Sequence, residues 1–147
     1  MMSSTKGSVI ALDYGAKRIG VARAHCQLAI AQPMTVLLNN DGLFREIISL
    51  ITTEHVQKII VGLPRNLSGE DTLQTVQVRA FVRQLRSHVS VPVVLQDEAG
   101  TSNQAQVELR ERGVSGKKSR QESATTSIDA LAATYILEDF ITQGGLR

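Results

Sequence analysis

The stretch VIALDYGAKRIGVARA, residues 9–24, places an acidic residue at the end of an apolar run. The run predicts a buried β-strand, and Asp13 follows it at a point where an unpaired carboxylate is costly to bury. Residues 15–18 form a loop of hairpin length with a glycine at its entry, and a second apolar run comes after it. The stretch therefore predicts an antiparallel pair of strands, residues 8–14 and 19–25, with Asp13 at the end of the first.

Beyond this pair, segments typical of strands and helices alternate. A third extended segment is predicted over residues 28–38, where Pro33 favours an edge position or a bulge. After it come segments of helical period and short apolar runs typical of buried strands. These are a helix over 42–54 capped by Asp41, a strand over 58–63, a helix that follows a capping-box-like Ser68–Asp71 and runs to 87, a strand over 91–95, and helices over 101–112 and 125–142.

This order of elements predicts an α/β fold with one domain over residues 1–147. Three leading strands form an antiparallel meander, and the two later strands are parallel because a helix separates each of them from the strand before. We therefore expect a mixed five-stranded sheet flanked by helices. A chain of 147 residues is long enough to bury a sizeable core.

The composition is that of an ordinary globular protein, with 42% hydrophobic and 20% charged residues. Cys26 is the single cysteine, so an internal disulfide is excluded, and no Cys/His spacing typical of zinc occurs. Neither a signal peptide nor an apolar run of membrane-spanning length is found, so we expect a cytoplasmic protein that does not enter a membrane. Aromatic residues make up only 3%, which argues against an extended stacking platform for single strands.

A net charge of +2 does not by itself identify a nucleic-acid partner, but the charge is unevenly distributed. Residues 110–120 contain five basic residues and one acidic residue, a sum of +4. A solvated loop with helix-end cations would explain this equally well. The polar segment over 114–124 is predicted to be a loop that becomes ordered on a nucleic acid through Lys117, Lys118 and Arg120.

Carboxylates occur at the ends of two predicted strands and within the last helix. Asp13 ends the first strand, Asp97 and Glu98 follow the last, and Asp129 lies in the final helix. The carboxyl ends of parallel strands meet at one edge of a sheet, where clustered acids repel unless a cation such as Mg²⁺ or Mn²⁺ neutralises them. Turn formation, loop charges and a helix-dipole contact would account for the same residues separately, and both interpretations stay open at this point.

Four motifs in the same order resemble the YqgF family, also called RuvX. They are ALDYGAKRIGVA (11–22), IIVGLPRNLSG (59–69), the DE pair at 97–98 and IDALAATYILEDF (128–140). Members of this family are bacterial proteins of RNase H-like fold, described as Holliday-junction-resolvase-like and as nucleases that process the ends of pre-16S ribosomal RNA. The resemblance implies an RNase H-like fold and metal-dependent hydrolysis of phosphodiester bonds.

The resemblance also implies a set of site residues. Asp13, Glu98 and Asp129 match the acidic triad that holds Mg²⁺ or Mn²⁺ and carries catalysis. Asp97 is a reserve candidate, because adjacent strand residues face opposite ways. The loop containing Arg65 and Asn66, whose residues match the second motif, is expected beside the site and in contact with the nucleic-acid backbone.

One position departs from the family pattern. The family usually has arginine after the DE pair, whereas this chain has Ala99. A phosphate clamp is thereby lost, and Lys17, Arg18 or Arg65 could take its role. Activity or substrate preference is expected to differ accordingly.

The expected function is a metal-dependent endonuclease that acts on structured nucleic acid, with the ends of pre-16S ribosomal RNA as substrate and the ribosome or its small-subunit precursor as a partner. A resolvase of four-way DNA junctions and a non-catalytic nucleic-acid-binding or ribosome-assembly factor are the alternatives. Gly15 and Gly20 have the spacing of the glycines in a P-loop, but Val21 and Ala22 follow where a P-loop has lysine and serine or threonine. Nucleotide binding through a P-loop is therefore not expected. The sequence does not decide whether the substrate is RNA or DNA, or whether the protein is a monomer or a homodimer.

Overall fold

The computed structural model describes residues 7–98 and 121–146, which form five strands and three helices. The elements are β1 (Ser8–Tyr14), β2 (Arg18–His25), β3 (Gln32–Leu38), α1 (Leu43–Thr53), β4 (Val56–Leu63), α2 (Leu73–His88), β5 (Val93–Asp97) and α3 (Gln121–Thr142). The strands make one sheet in the order β3-β2-β1-β4-β5. The β1–β2 and β2–β3 pairs are antiparallel, and the β1–β4 and β4–β5 pairs are parallel, which confirms the predicted mixed sheet.

Side chains of β1 alternate between two cores, one on each face of the sheet. Ile10 and Leu12 pack with side chains of α1 and α2, whereas Val9 and Ala11 pack with side chains of α3. A strand covered on both faces is apolar at every position, which explains the continuous run in the sequence. The same alternation directs Asp13 towards the α3 side and Tyr14 towards the α1 and α2 side.

Helix α3 lies close to the sheet because small residues meet where it crosses. A Cβ atom on Gly20 would overlap the carbonyl oxygen of Asp129, and a Cβ atom on Gly62 would lie 2.5 Å from Cδ1 of Ile136. Ala132 and Ala133 are fully buried on the helix side. The glycines of β2 and β4 therefore determine how near α3 comes to the carboxyl ends of the strands.

Several predicted boundaries shift in the structure, among them the start of β4, which is Val56 instead of 58. Strand β3 begins at Gln32 instead of 28, and Pro33 lies on this edge strand at a register irregularity, as expected. Strand β5 starts at Val93, after Pro92, and extends to Asp97. Helix α3 already begins at Gln121, so the predicted loop over 114–124 is too long at its end.

Two predicted helix caps are wrong. Gly42, not Asp41, is the N-cap of α1, and no side chain caps this helix. The N–H of Gly42 donates a hydrogen bond to Oδ1 of Asn40. Thr72 is the N-cap of α2, where it forms a capping box with Thr75. The Ser68–Asp71 segment lies in the loop before the helix.

The helix predicted over 101–112 lies outside the described residues. Within the described ranges, no helix is both long and apolar enough to cross a lipid bilayer.

Candidate active site

Glu98 directly follows β5 and lies on the face of the sheet that α3 covers. Its N–H donates a hydrogen bond to the Leu63 carbonyl over 3.0 Å, which continues the pairing of β5 with β4. Only 4% of Glu98 is exposed, and its Cγ lies near Gly62 under α3. Asp97 points the other way and its side chain is 54% exposed. Of the two adjacent acids, Glu98 is therefore the one directed into the molecule.

The environment of Glu98 strongly favours its protonated form. The pKa of Glu98 is raised to about 9, chiefly by burial. A hydrogen bond with Asp139 and the negative charges of Asp139, Asp97 and Asp13 add to this shift. Its Oε1 atom is buried and accepts no hydrogen bond from the described residues. A buried acceptor without a partner is costly, so this position favours a proton or a cation.

Strand register brings Asp13 towards Glu98. Leu12 of β1 is level with Val61 of β4, and Val61 is level with Leu95 of β5. The side chains of Asp13 and Glu98 consequently lie at the carboxyl ends of their strands, on the same face. They are close enough for the charge of Asp13 to raise the pKa of Glu98.

Asp129 reaches the same edge of the sheet from α3. Gly20 is the cross-strand partner of Asp13, and the backbone of Asp129 contacts Gly20. Asp129 lies eight residues into α3, so an interaction with the helix N-terminus does not explain it. The fold therefore places the backbone of Asp13, Gly20 and Asp129 next to one another.

The side chain of Asp129 is already held by a cation. Nε of Arg18 lies 2.9 Å from Oδ2 of Asp129, and both side chains are partly exposed. Within the described ranges, no three His, Cys, Asp or Glu side chains lie close enough together to hold a metal ion. The structure thus brings Asp13 and Glu98 together, while Asp129 pairs with Arg18 beside them.

Asp139 is a site residue that the sequence reasoning missed. It lies in α3 three residues after Ile136, which is 1% exposed, so Asp139 falls on the partly buried side of the helix. Its contact with Glu98 adds a further carboxylate to the site. An acidic residue at helical spacing from an apolar stripe is the signal that would have found it.

Arg65 ties the loop between β4 and α2 to the end of β5. Its Nη1 lies 3.3 Å from Oδ2 of Asp97, and its Nε lies 3.4 Å from Oδ1 of Asp71. Asp71 in turn accepts a hydrogen bond from Arg79 over 3.0 Å. Arg65 is therefore next to the DE pair, as the resemblance implies, and is balanced there by two acids.

The other predicted nucleic-acid contacts lie in different settings. Lys17 is exposed in the turn between β1 and β2, beside Arg18. Oδ1 of Asn66 accepts hydrogen bonds from the N–H of Glu70 and the hydroxyl of Ser68, both over 2.8 Å, so this side chain shapes its own loop. Lys117, Lys118, Arg120 and Ala99 lie outside the described residues.

Comparison with known proteins agrees with the architecture and with the motifs. The structure of a fowlpox virus resolvase in complex with Holliday junction DNA superposes on this chain with a TM-score of 0.51 at 10% sequence identity. The superposition covers 95% of this chain and 99% of the resolvase chain, which shows a shared RNase H-like fold. A relative from Maridesulfovibrio salexigens named "Putative pre-16S rRNA nuclease" is 36% identical over 92% of this chain and 98% of its own length. One of the same name from Thiobacillus denitrificans is 38% identical over 94% and 93%. The family model described as "RuvX: Holliday junction resolvase" matches residues 7–143, so the chain belongs to the RuvX family of nucleases.

Proposed function

We propose that this protein is a divalent-metal-dependent endonuclease that trims the ends of pre-16S ribosomal RNA in the cytoplasm, on the small-subunit precursor. The observation that carries the proposal is Glu98, which is buried at the carboxyl end of β5, has a pKa raised to about 9, and has an Oε1 atom without a hydrogen-bond partner among the described residues. Strongly perturbed carboxylates at the carboxyl edge of a sheet are typical of functional sites. The names of the full-length relatives supply the substrate class.

The donor set around Glu98 suits a hard divalent cation in its chemistry, while within the described ranges no three of its side chains lie close enough together to hold one. The set consists of carboxylate oxygens, which are the ligands that Mg²⁺ and Mn²⁺ prefer. We assign Asp13 and Glu98 as the residues that hold the ion, joined by Asp129 when Arg18 moves to the substrate. A bound ion supplies positive charge for the attacking water and the leaving oxygen of the phosphodiester.

The side chains of this protein have separate tasks in that reaction. Glu98 would hold the ion as a carboxylate and would have to give up its proton to do so, because burial and the charges of Asp13 and Asp139 favour its protonated form. Arg18 is 42% exposed and can turn from Asp129 to a phosphate of the strand. Lys17 adds a second cation on the same turn, so the backbone of the strand is held next to the acids.

The proposal is tested by replacing Asp13 with Asn. Asp13→Asn keeps the size of the side chain and removes one proposed ligand charge. We expect a folded protein that binds precursor RNA with nearly unchanged affinity and has lost Mg²⁺- or Mn²⁺-dependent cleavage by about a hundredfold or more. Gel analysis of the cleaved RNA and fluorescence anisotropy of a labelled RNA measure the two effects.

Asp97→Asn is the matched control, because Asp97 is the neighbour of Glu98 that points away from the site. We expect this variant to keep its cleavage activity. Wild-type protein that binds these nucleic acids but cleaves none of them with either metal would contradict the nuclease and favour a binding or assembly factor.

Resolution of four-way DNA junctions is the second candidate, because the matching family model is described as a Holliday junction resolvase. A resolvase cuts two strands symmetrically and is expected to act as a dimer. Sedimentation of the protein with and without a four-way junction, together with cleavage of the junction, separates this candidate from the RNA nuclease.

A further inference from the structure

A pocket of about 580 Å³ opens on the face of the sheet opposite to Glu98. It lies between the N-terminal part of α1, the exposed side of α2 and the end of β1. Three aromatic residues line it, namely Tyr14, Phe44 and Phe81. Asn39 and the exposed side chains of Gln77 and Gln84 provide amide groups around them.

The aromatic rings form one contiguous group. The ring centroids of Tyr14 and Phe81 are 4.7 Å apart, and those of Phe44 and Phe81 are 5.9 Å apart in a stacked arrangement. Two of the three phenylalanines and one of the two tyrosines in the chain are thus in this pocket. The chain has too few aromatic residues for a long stacking platform, but the three in this pocket are enough to contact one planar ring of a ligand.

The charge of the described lining disfavours a phosphate as the occupant of the pocket. Among the residues that the structure describes, Asp41 is the one charged residue that lines the pocket, and it is acidic. Amide side chains both donate and accept hydrogen bonds, as the edges of nucleobases do. An uncharged aromatic ring with polar edges therefore fits this lining, whereas an anionic group does not.

The rim of the pocket is attached to the turn that carries the basic residues. The N–H of Asn39 donates to the carbonyl of Lys17, and its Nδ2 donates to the carbonyl of Gly15, both over 2.9 Å. Tyr14 is adjacent in sequence to Asp13 and faces the other side of the sheet. The β1–β2 turn with Lys17 and Arg18 therefore follows Asp13 on one face of the sheet and is hydrogen-bonded to the rim of the pocket on the other.

We propose that this pocket takes up one unpaired base of the nucleic acid, next to the phosphates held by the β1–β2 turn. The inference rests on the proposed function in that it requires nucleic-acid binding, but it does not require cleavage. Such a pocket predicts a binding preference for single-stranded segments or strand ends, because a base within a duplex is not free to enter the pocket.

The test measures binding of a short fluorescein-labelled single-stranded RNA and of the same strand in a blunt duplex, in buffer with EDTA so that no cleavage occurs. Gln77→Ala combined with Gln84→Ala removes two exposed amide groups of the pocket. We expect single-strand affinity to fall by about tenfold and duplex affinity to stay within about twofold. Phe44→Leu keeps an apolar side chain and removes a ring that stacks on His88 on one side, with ring centroids 4.3 Å apart, and lines the pocket. It is expected to have the same selective effect.

Gln74→Ala is the matched control, since Gln74 is exposed on the same helix and does not line the pocket. It should bind both RNAs as the wild type does. Unchanged single-strand binding in the double variant, or equal losses for single strand and duplex, would overturn the base pocket and leave the proposed nuclease intact. A wild-type protein that binds neither RNA nor DNA would overturn both proposals.

Discussion

At the scale of single residues, Glu98 links the stability of the fold to pH. Its pKa is raised from 4.5 to about 9 in the folded chain, mainly by burial and then by the neighbouring Asp139. Between these two values the folded chain holds a proton that the unfolded chain has lost. The free energy of unfolding therefore falls as the pH rises through this window, by up to about 1.4 kcal/mol for each pKa unit of difference.

We predict that Glu98→Gln removes most of this pH dependence. In EDTA, the wild-type protein should lose stability between about pH 5 and about pH 8, and the variant should be the more stable of the two at the upper end, by on the order of 1–3 kcal/mol. Urea unfolding followed by circular dichroism at both pH values measures the difference. Asp97→Asn should keep most of the wild-type slope, because burial and Asp139 raise the pKa of Glu98 more than Asp97 does. Parallel slopes for wild type and Glu98→Gln would show that Glu98 is not protonated in the folded state.

At the scale of elements, the contact between α3 and β2 positions Asp129. Gly20 has no side chain, so the backbone of α3 comes down onto β2 opposite Asp13. Glycine inside a strand normally weakens it, which is tolerated here because close approach of another backbone requires it. Arg18 at the start of β2 then reaches Asp129 over 111 residues of sequence separation.

We predict that Gly20→Ala destabilises the protein by about 1–3 kcal/mol, because the added methyl group forces α3 away from the sheet. The same displacement moves Asp129 and should lower any metal-dependent cleavage at temperatures where the variant is still folded. Thermal unfolding and cleavage assays measure the two effects.

Gly42→Ala is the control, because the nearest atom to a Cβ there is Oδ1 of Asn40 at 3.5 Å. It should destabilise the protein by less than about 1 kcal/mol, because alanine meets no clash there and is disfavoured only as an N-cap residue. Equal stability of Gly20→Ala and the wild type would mean that α3 does not pack closely on β2.

At the scale of the whole molecule, the sheet separates two cores that share β1 and β4. Ile10, Ala11 and Leu12 are fully buried, as are Ile59, Ile60 and Val61. The outer strands differ, since β3 lies at the edge of the sheet and exposes several of its residues. Stability is therefore expected to be greatest at the centre of the sheet and to fall towards β3.

We predict that backbone amides of Ile10 and Ile60 exchange with solvent only through global unfolding. Amides of β3 should exchange at least about a hundredfold faster, because local opening of an edge strand exposes them. Hydrogen–deuterium exchange followed by mass spectrometry or NMR measures both. Similar exchange rates for β1 and β3 would contradict a core centred on β1 and β4.

Much of this organisation was predictable from local patterns. The apolar run before Asp13 and the hairpin-length loop after it gave the first strand pair, and helical periodicity located the helices. The predicted caps Asp41 and Ser68 are wrong because several polar residues compete near each helix start. Thr72 caps α2, whereas α1 has no side-chain cap. Alternation showed that Asp97 and Glu98 face opposite sides, but which side α3 covers is not a local property.

The sequence by itself determined the α/β class, the mixed sheet, the family and the positions of the acids at strand ends, because apolar periodicity and motif order are properties of neighbouring residues. Only the tertiary structure decided that Glu98 is the buried acid, that Asp139 raises its pKa, that Arg18 holds Asp129, and that three aromatic residues from separate elements line one pocket. Burial and electrostatic interaction depend on distances in space, and those distances join residues that are far apart along the chain.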